Sequence, residues 1–153
     1  MATGFDFISD YFICRSQYWI IKKITGIMGT ERVMNGKYSP LVTVILPVYN
    51  RPHVIYTIES ILHQTYKNID LLIIDNASTD NTVEVIRGIK DSRIRLIVNE
   101  SNRGQTYSIN RGLKLARGTY IARIDSDDFA LPSRIEKQVS FMESHPDYGL
   151  VGC

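Results

Sequence analysis

The sequence predicts an α/β fold, in which a mostly parallel, doubly wound sheet carries helices on both of its faces. Three observations support this class. From residue 41 onward, strand-like segments alternate with helix-like segments at regular spacing. The first two strand segments are continuous apolar runs rich in branched residues, as is typical of strands buried on both faces. The length of 153 residues is enough for one domain with a sizeable core.

The first half of this alternation contains two strands and two helices. The first strand is predicted in "LVTVILPVY", which begins at Leu41. Pro52 then suits the first turn of a helix that runs through "VIYTIESILHQ". The second strand is predicted in "IDLLIIDNAS", and Ser78 or Thr79 is placed to cap the helix that follows it.

The second half contains three strands and two helices. "IRLIVNE" predicts the third strand and "TYSINRGLKLA" the third helix, which we expect Gly118 to end. "TYIARID" predicts the fourth strand. Pro132, with Ser133 and Glu136 as a capping box, predicts the start of a fourth helix that runs through Glu143. "GLVGC" predicts the opening of a fifth strand.

Residues 1–40 differ in character from residues 41–153, and we interpret them as an N-terminal helical arm and linker. A helix is predicted around Tyr18 to Met28. "MNGKYSP" predicts a turn and linker, because Asn35-Gly36 and Pro40 break regular structure. The favoured interpretation is a helix that packs on the main domain. The alternative is a helix that binds a membrane surface or a partner, since its Trp, Tyr and Lys residues suit an interface.

Composition excludes several classes of protein. The net charge is only +2, and residues 41–153 carry equal numbers of acidic and basic side chains, so no nucleic-acid partner is predicted. The two cysteines, Cys14 and Cys153, form neither a disulfide framework nor a metal motif, which predicts a reducing, cytoplasmic location. No apolar segment is long enough to span a bilayer, so any membrane association is expected to be peripheral, through residues 1–40.

The residues that follow each strand are the candidate site, because ligands bind outside the carboxyl ends of parallel strands. They are Pro47 to Asn50, Asp75 to Ser78, Asn99 to Gly104, and Asp125 to Asp128. The last group places three carboxylates within four positions, which is costly unless a cation offsets them. A hard divalent ion, magnesium or manganese, would do so and would hold a diphosphate in the absence of a glycine-rich phosphate loop.

Simpler interpretations of the same residues remain open at this point. The acidic group could be a solvated loop with an acidic residue at the start of the following helix. Asp75 could merely cap a turn through "NASTD".

Four segments, taken together, resemble the family 2 glycosyltransferases with the GT-A fold. They are "VTVILPVYNRP", "SILHQTYKNIDLLIIDNASTDNT", "NRGQTYSINRGLKLARGTYIARIDSDD" and "LPSRIEKQVSFM", in the family's order and at its usual spacing. The resemblance covers residues 41–153 and not residues 1–40. It implies a nucleotide-diphosphate sugar donor (a UDP-sugar), Mn²⁺ or Mg²⁺ as cofactor, and transfer of a hexosyl or related sugar with inversion at the anomeric carbon.

The resemblance also implies roles for individual residues. The nucleotide-binding set is Pro47, Tyr49, Asn50, Asp75, Asn76, Arg103, Asp125 and Ser126. Within it, Pro47, Tyr49 and Asn50 would line the nucleoside pocket, Asp75 and Asn76 would face the base, and Arg103 would lie by the diphosphate. Asp125-Ser126-Asp127 matches the family's D-x-D motif. Asp127 would then be the more direct metal ligand, and Asp125 would reach the ribose or a metal-bound water.

The chain departs from the family pattern in two ways. Many members read "DDGSTD" where this chain reads "DNASTD", so Asn76 offers an acceptor oxygen without a charge. The family's general base lies well past the D-x-D motif, so we expect it beyond Cys153. The chain is then the donor-binding portion of a truncated enzyme, inactive alone. The alternative function is a non-catalytic module that binds a nucleotide sugar or a partner. An exposed fifth strand also predicts a homodimer.

Overall fold

The computed structural model describes residues 19–22, 32–34 and 37–152. The strands are β1 Trp19–Lys22, β2 Arg32–Met34, β3 Lys37–Ser39, β4 Val42–Val48, β5 Ile69–Asp75, β6 Ile94–Val98, β7 Tyr120–Arg123 and β8 Leu150–Gly152. The helices are α1 Val54–Leu62, α2 Thr82–Gly88, α3 Gln105–Leu115 and α4 Arg134–Ser144. None of the helices in this part of the chain has the length and apolar character needed to cross a membrane.

Six of the strands form one sheet in the order β6-β5-β4-β7-β1-β8, and β2 pairs with β3 in a separate hairpin. Strands β4, β5, β6 and β7 are parallel, with Val42 opposite both Ile69 of β5 and Tyr120 of β7. Strand β1 runs antiparallel to both of its neighbours. The sheet is therefore mixed and mostly parallel, which confirms the predicted fold class.

Helices cover both faces of the sheet, because the strands bury apolar side chains in both directions. On one face, Val44 and Leu46 of β4 belong to the cluster that contains Ile58 of α1 and Ile135 of α4. On the other face, Ile45 belongs to a smaller cluster with side chains of α3. Alternate residues of β4 therefore point into two separate cores, as expected for a central strand.

The predicted helix around Tyr18 to Met28 is wrong for Trp19–Lys22, which form β1. Ile20 is opposite Ala122 of β7 and Val151 of β8, so this segment lies inside the sheet. Ile20 and Ile21 are both buried, one in each of the two cores. Branched side chains that must be buried on opposite faces favour a strand over a helix. The rest of the predicted helix lies outside the described residues.

The predicted linker is also partly replaced by a strand. Lys37–Ser39 form β3, which pairs with β2. The expected turn at Asn35-Gly36 lies outside the described residues.

The starts of two helices differ from the predicted ones. Helix α2 begins after Asn81, whose side chain makes no capping hydrogen bond. The hydroxyls of Ser78 and Thr79 bond instead to Asp75 and Asn50. Helix α4 follows Ser133, but that side chain makes no capping hydrogen bond. The partner expected in the capping box, Glu136, instead accepts a hydrogen bond from Thr65 Oγ1 at 2.7 Å.

Gly118 does not end α3, which stops at Leu115. A Cβ at Gly118 would lie 2.5 Å from the backbone nitrogen of Thr43 and 2.6 Å from the carbonyl oxygen of Leu41. The glycine therefore allows the backbone of the loop after α3 to pass close to the start of β4.

Candidate functional site

The strand ends meet at one edge of the sheet, as the parallel register requires. The Asn76 amide donates to the Val48 carbonyl at 2.8 Å, and the Asn99 amide donates to the Asp75 carbonyl at 2.8 Å. A cavity of about 300 Å³ opens between these ends. It is lined by Pro47, Val48, Tyr49, Asn76, Asn102, Gly104, Gln105, Ser108 and Ser126. The structure thus brings four of the predicted residues to one cavity: Pro47, Tyr49, Asn76 and Ser126.

Asn50 joins the end of the first core strand, β4, to the loop after β5. Its φ of 46° is in the left-handed region, which asparagine tolerates better than most residues. The Asn50 amide donates to Ser78 Oγ at 2.9 Å, and the Thr79 amide donates to Asn50 Oδ1 at 2.8 Å. Asn50 therefore fixes the rim of the site and is not among the residues that line the cavity.

Asp75 is fully buried and holds a turn. One of its carboxylate oxygens accepts from the Ser78 amide at 2.9 Å, and the other accepts from Ser78 Oγ at 2.5 Å. This is the turn-capping arrangement that the sequence left open, and Asp75 is not among the cavity-lining residues. The role of Asp75 against a base stays a prediction.

Asn76 has its side-chain amide held on both sides. Its Oδ1 accepts from Asn99 Nδ2 at 3.1 Å and from the Arg103 backbone amide at 3.1 Å. Its Nδ2 donates to Asn102 Oδ1 at 2.8 Å. We call Asn76, Asn99 and Asn102 the asparagine relay.

The ends of the asparagine relay determine which way each amide points. Arg111 Nη1 donates to Asn99 Oδ1 at 2.5 Å, and the Gly104 amide donates to Asn102 Oδ1 at 3.1 Å. A guanidinium and a backbone N–H can only donate. The oxygen of Asn99 must therefore face Arg111, the oxygen of Asn102 must face Gly104, and Asn76 must present its nitrogen toward Asn102.

Arg103 is exposed and is not among the residues that line the cavity. Its guanidinium carbon lies 4.1 Å from the ring centroid of Tyr107, a cation–π geometry. Its predicted place beside the diphosphate stays a prediction.

The first carboxylate of the acidic group, Asp125, is buried and already neutralised. Arg123 Nη2 lies 2.7 Å from its Oδ1 and 3.0 Å from its Oδ2. Gln105 Nε2 donates to the same Oδ1 at 3.1 Å. Because Arg123 offsets the charge of Asp125, this carboxylate is fixed in place by the protein itself.

The other two carboxylates have different surroundings. The Asp127 side chain is 59% exposed, and its Oδ2 lies 3.5 Å from Arg51 Nη2. Asp128 Oδ2 is buried and has no hydrogen-bond partner among residues 19–22, 32–34 and 37–152. Within the same ranges, no three His, Cys, Asp or Glu side chains are grouped closely enough to enclose a metal ion.

This donor set fits a hard divalent ion held by few protein ligands. Mg²⁺ and Mn²⁺ are commonly bound by one or two carboxylates, with water and phosphate oxygens filling the other positions. Asp127 already attracts a cationic group, and the buried Asp128 oxygen lacks a partner. The site therefore suits an ion that arrives with a phosphate ligand rather than one enclosed by protein alone.

Several polar residues at the site were not singled out from the sequence. Arg123 carried a usable signal, because residues two apart on a strand share a face and Arg123 is two before Asp125. Arg51 and Gln105 carried none. Their roles arise from contacts between loops that are distant in the chain.

Comparisons with known proteins identify related sequences. A family model described as "Glycosyl transferase family 2" matches residues 43–153. The chain is 48% identical over 105 residues to the UDP-Glc:alpha-D-GlcNAc-diphosphoundecaprenol beta-1,3-glucosyltransferase WfaP of Escherichia coli, with 68% of this chain and 42% of that protein covered. It is 44% identical over 118 residues to the putative glycosyltransferase EpsE of Bacillus subtilis (strain 168), with 74% and 42% covered. The chain thus spans less than half the length of these relatives.

Solved structures show the same fold. The mannosyltransferase PcManGT from Pyrobaculum calidifontis, in complex with GDP-Man and Mn²⁺, superimposes with a TM-score of 0.61 at 29% identity, covering 69% of this chain and 33% of that one. TarS 1-349 of S. aureus in complex with UDP superimposes with a TM-score of 0.65, covering 69% and 33%. Its identity is 23%, so this likeness supports the fold alone.

Proposed function

The chain belongs to glycosyl transferase family 2, and from this premise we propose that it forms the donor-binding portion of a metal-dependent enzyme. The enzyme would transfer a sugar from a nucleotide-diphosphate sugar to an acceptor with inversion. The observation that carries the proposal is the cavity at the strand ends, with Asp127 exposed at the end of β7 beside the cavity-lining Ser126.

The cavity suits a nucleoside. Its volume of about 300 Å³ lies in the range of small-ligand sites. Tyr49, 44% exposed at the rim, offers an aromatic face to a flat base or ribose. Asn76 and Asn102 supply amide groups for the edge of a base. A UDP-sugar is our proposed donor, because UDP-Glc is in the name of WfaP.

The metal is proposed to be Mn²⁺ or Mg²⁺, with Asp127 as its direct ligand. Asp125, held by Arg123, would reach the ribose or a metal-bound water. Such an ion offsets the negative charge that develops on a departing diphosphate. The Mn²⁺ in the PcManGT complex supports the choice of a divalent metal.

We further propose that this chain binds donor without transferring sugar. Asp125 is paired with Arg123 and Asp127 with Arg51, and one oxygen of Asp128 is buried. A general base must reach the acceptor hydroxyl, and these carboxylates are poorly placed to do so. The acceptor class suggested by the name of WfaP is a saccharide on a diphospholipid. We also propose a cytoplasmic location, peripheral membrane contact through residues 1–40, and a homodimer.

The competing function is a module that binds a nucleotide sugar or a partner in a protein without transferase activity. The pairing of Asp125 with Arg123 and of Asp127 with Arg51 is the observation that favours it. The two functions separate when the chain is studied within a longer protein that contains it. Sugar transfer by that protein, lost on changing Asp127 to asparagine, supports the enzyme; donor binding without transfer supports the module.

The test of donor binding is calorimetric titration of UDP into the chain with and without Mn²⁺. We expect binding that weakens at least about tenfold when Mn²⁺ is omitted or when Asp127 is changed to asparagine. Asp147→Asn removes the same charge from an exposed position after α4 and should leave UDP affinity unchanged. Binding of UDP that needs no metal and is unaffected by Asp127→Asn would contradict the proposal.

A further inference from the structure

We propose that Arg51 is a positioning residue for the donor diphosphate, and that it is held against Asp127 until a divalent ion takes its place. This inference rests on the proposed metal-dependent function. The relevant observation is the ion pair itself: Arg51 Nη2 and Asp127 Oδ2 are 3.5 Å apart, across the ends of two neighbouring parallel strands.

The backbone of Arg51 is fixed, while its side chain is half exposed and loosely paired. Its amide donates to Thr82 Oγ1 at 2.7 Å, and its carbonyl accepts from the Val54 amide at 3.0 Å. The preceding residue, Asn50, is held by the loop after β5. The Arg51 side chain, however, is 47% exposed, and its long stem can reach more than one position from this anchor.

The pair lies at the mouth of the donor cavity. Tyr49, two residues before Arg51, lines that cavity, and so does Ser126, the residue before Asp127. A nucleoside that lies in the cavity with its diphosphate toward Ser126 would place that diphosphate near Arg51 and Asp127. Any ion that Asp127 binds must displace the guanidinium from that carboxylate or share the carboxylate with it.

The geometry indicates a pair that is easily exchanged. A strong bidentate arginine–carboxylate pair has N–O distances of about 2.7–2.9 Å, and exposed pairs contribute little to stability. Arg123 and Asp125 form the close, buried type, at 2.7 and 3.0 Å, whereas Arg51 and Asp127 form the long, exposed type. A doubly charged ion binds a carboxylate at roughly 2.0–2.2 Å and therefore competes well with a loosely held guanidinium.

Once released, the guanidinium has an obvious partner. The ion repels it, while the phosphate oxygens that the ion gathers attract it, and its planar fork matches phosphate geometry. Arg51 would then bind the diphosphate from the loop after β4, opposite the metal ligand in the loop after β7. The same side chain thus weakens binding of the ion alone and strengthens binding of the ion with its nucleotide.

The test measures these two opposite effects of Arg51, on binding of Mn²⁺ alone and on binding of UDP with Mn²⁺. Mn²⁺ binding is measured by electron paramagnetic resonance without nucleotide, and UDP binding by calorimetry at saturating Mn²⁺. For Arg51→Gln we expect Mn²⁺ alone to bind about two- to fivefold more tightly, as loss of a weak competing pair predicts. We expect UDP to bind about tenfold more weakly, as loss of a charge-assisted contact predicts. Arg51→Lys should recover part of the UDP affinity, because a point charge remains.

The matched control is Arg117→Gln, which removes the same charge. Arg117 is exposed in the loop between α3 and β7, at the opposite edge of the sheet, where its amide donates to Thr43 Oγ1. This variant should change neither affinity. Weaker Mn²⁺ binding or unchanged UDP binding in Arg51→Gln would overturn the inference while leaving the proposed function intact. Failure of the unaltered chain to bind Mn²⁺ and UDP would remove both.

Discussion

Arg123 Nη2 contacts both carboxylate oxygens of Asp125, at 2.7 and 3.0 Å, from only two residues earlier in the chain. Both side chains are nearly buried, at 13% and 12% exposure. The first aspartate of the acidic motif is therefore held in one orientation before any ligand arrives. The two halves of the D-x-D motif differ in kind: Asp125 is fixed and neutralised, and Asp127 is exposed and loosely paired.

Removing Arg123 should destabilise the fold. Arg123→Met leaves the buried Asp125 carboxylate without its counter-charge, and we expect the free energy of unfolding in urea to fall by about 3 kcal/mol. Adding Asp125→Asn to that variant should restore a large part of the lost stability, because the buried charge is then gone. A loss well under 1 kcal/mol in the single variant would show that the pair is not needed to stabilise this strand end.

The asparagine relay should control recognition of the base. Arg111→Met removes the donor that orients Asn99, so the Asn76 amide loses firm support from one of the three groups that hold it. We expect UDP affinity to fall about three- to tenfold, while its dependence on Mn²⁺ stays. Titration calorimetry measures both. Arg87→Met, an exposed position in α2, is the control and should bind UDP normally. Equal UDP affinity in Arg111→Met and the unaltered chain would refute a role for the relay.

Gly118 and Gly88 should respond differently to alanine. At Gly118 a Cβ would meet backbone atoms at 2.5 to 2.6 Å, which no side-chain movement relieves, so we expect Gly118→Ala to cost about 2–3 kcal/mol. At Gly88, the last residue of α2, nothing lies within 4 Å, so Gly88→Ala should be neutral or stabilising by up to about 1 kcal/mol. Thermal or urea unfolding of the two variants measures the difference between their stabilities. Similar stabilities would show that the backbone does not pass close to Gly118.

Asp91 should contribute stability that disappears in acid. The hydrogen bond from the Arg93 side chain lowers the pKa of Asp91 below its ordinary value. A lowered pKa in the folded state stabilises the fold above the ordinary pKa, and that contribution is lost as pH falls through the folded-state value. Asp91→Asn should therefore reduce the free energy of unfolding by up to about 1 kcal/mol at neutral pH and by progressively less below about pH 4. The prediction would be wrong if the difference in unfolding free energy between Asp91→Asn and the unaltered chain grew as the pH was lowered.

Much of the fold was readable from the sequence because the relevant patterns are local. The buried runs that became β4 and β5 are continuous and apolar, and β6 and β7 occur where their segments were predicted. Strand β1 could not be found in this way. Its place depends on the pairing edges that β7 and β8 offer to it, and those edges are roughly a hundred residues or more away in the chain.

The candidate site, like the fold, has parts that the sequence predicted and parts that depend on contacts between distant residues. That Tyr49, Asn76 and Ser126 would meet follows from the rule for parallel strand ends, and they do line one cavity. The burial of Asp75 against Ser78, the asparagine relay and the Arg51–Asp127 pair depend on side chains from different loops. No local pattern encodes which of several nearby polar groups a given amide or carboxylate will choose.

The position of β1 bears on how this protein should be trimmed for laboratory work. The matched family region begins at residue 43, after β1, yet Ile20 is fully buried in the sheet. Within the described residues, β8 is joined to the sheet through β1 alone. A shortened chain that starts at the family boundary would leave the edge of β7 bare and β8 without a strand to pair with. We expect such a chain to self-associate through the bared edge, so expression vectors should retain the residues that precede the recognised domain.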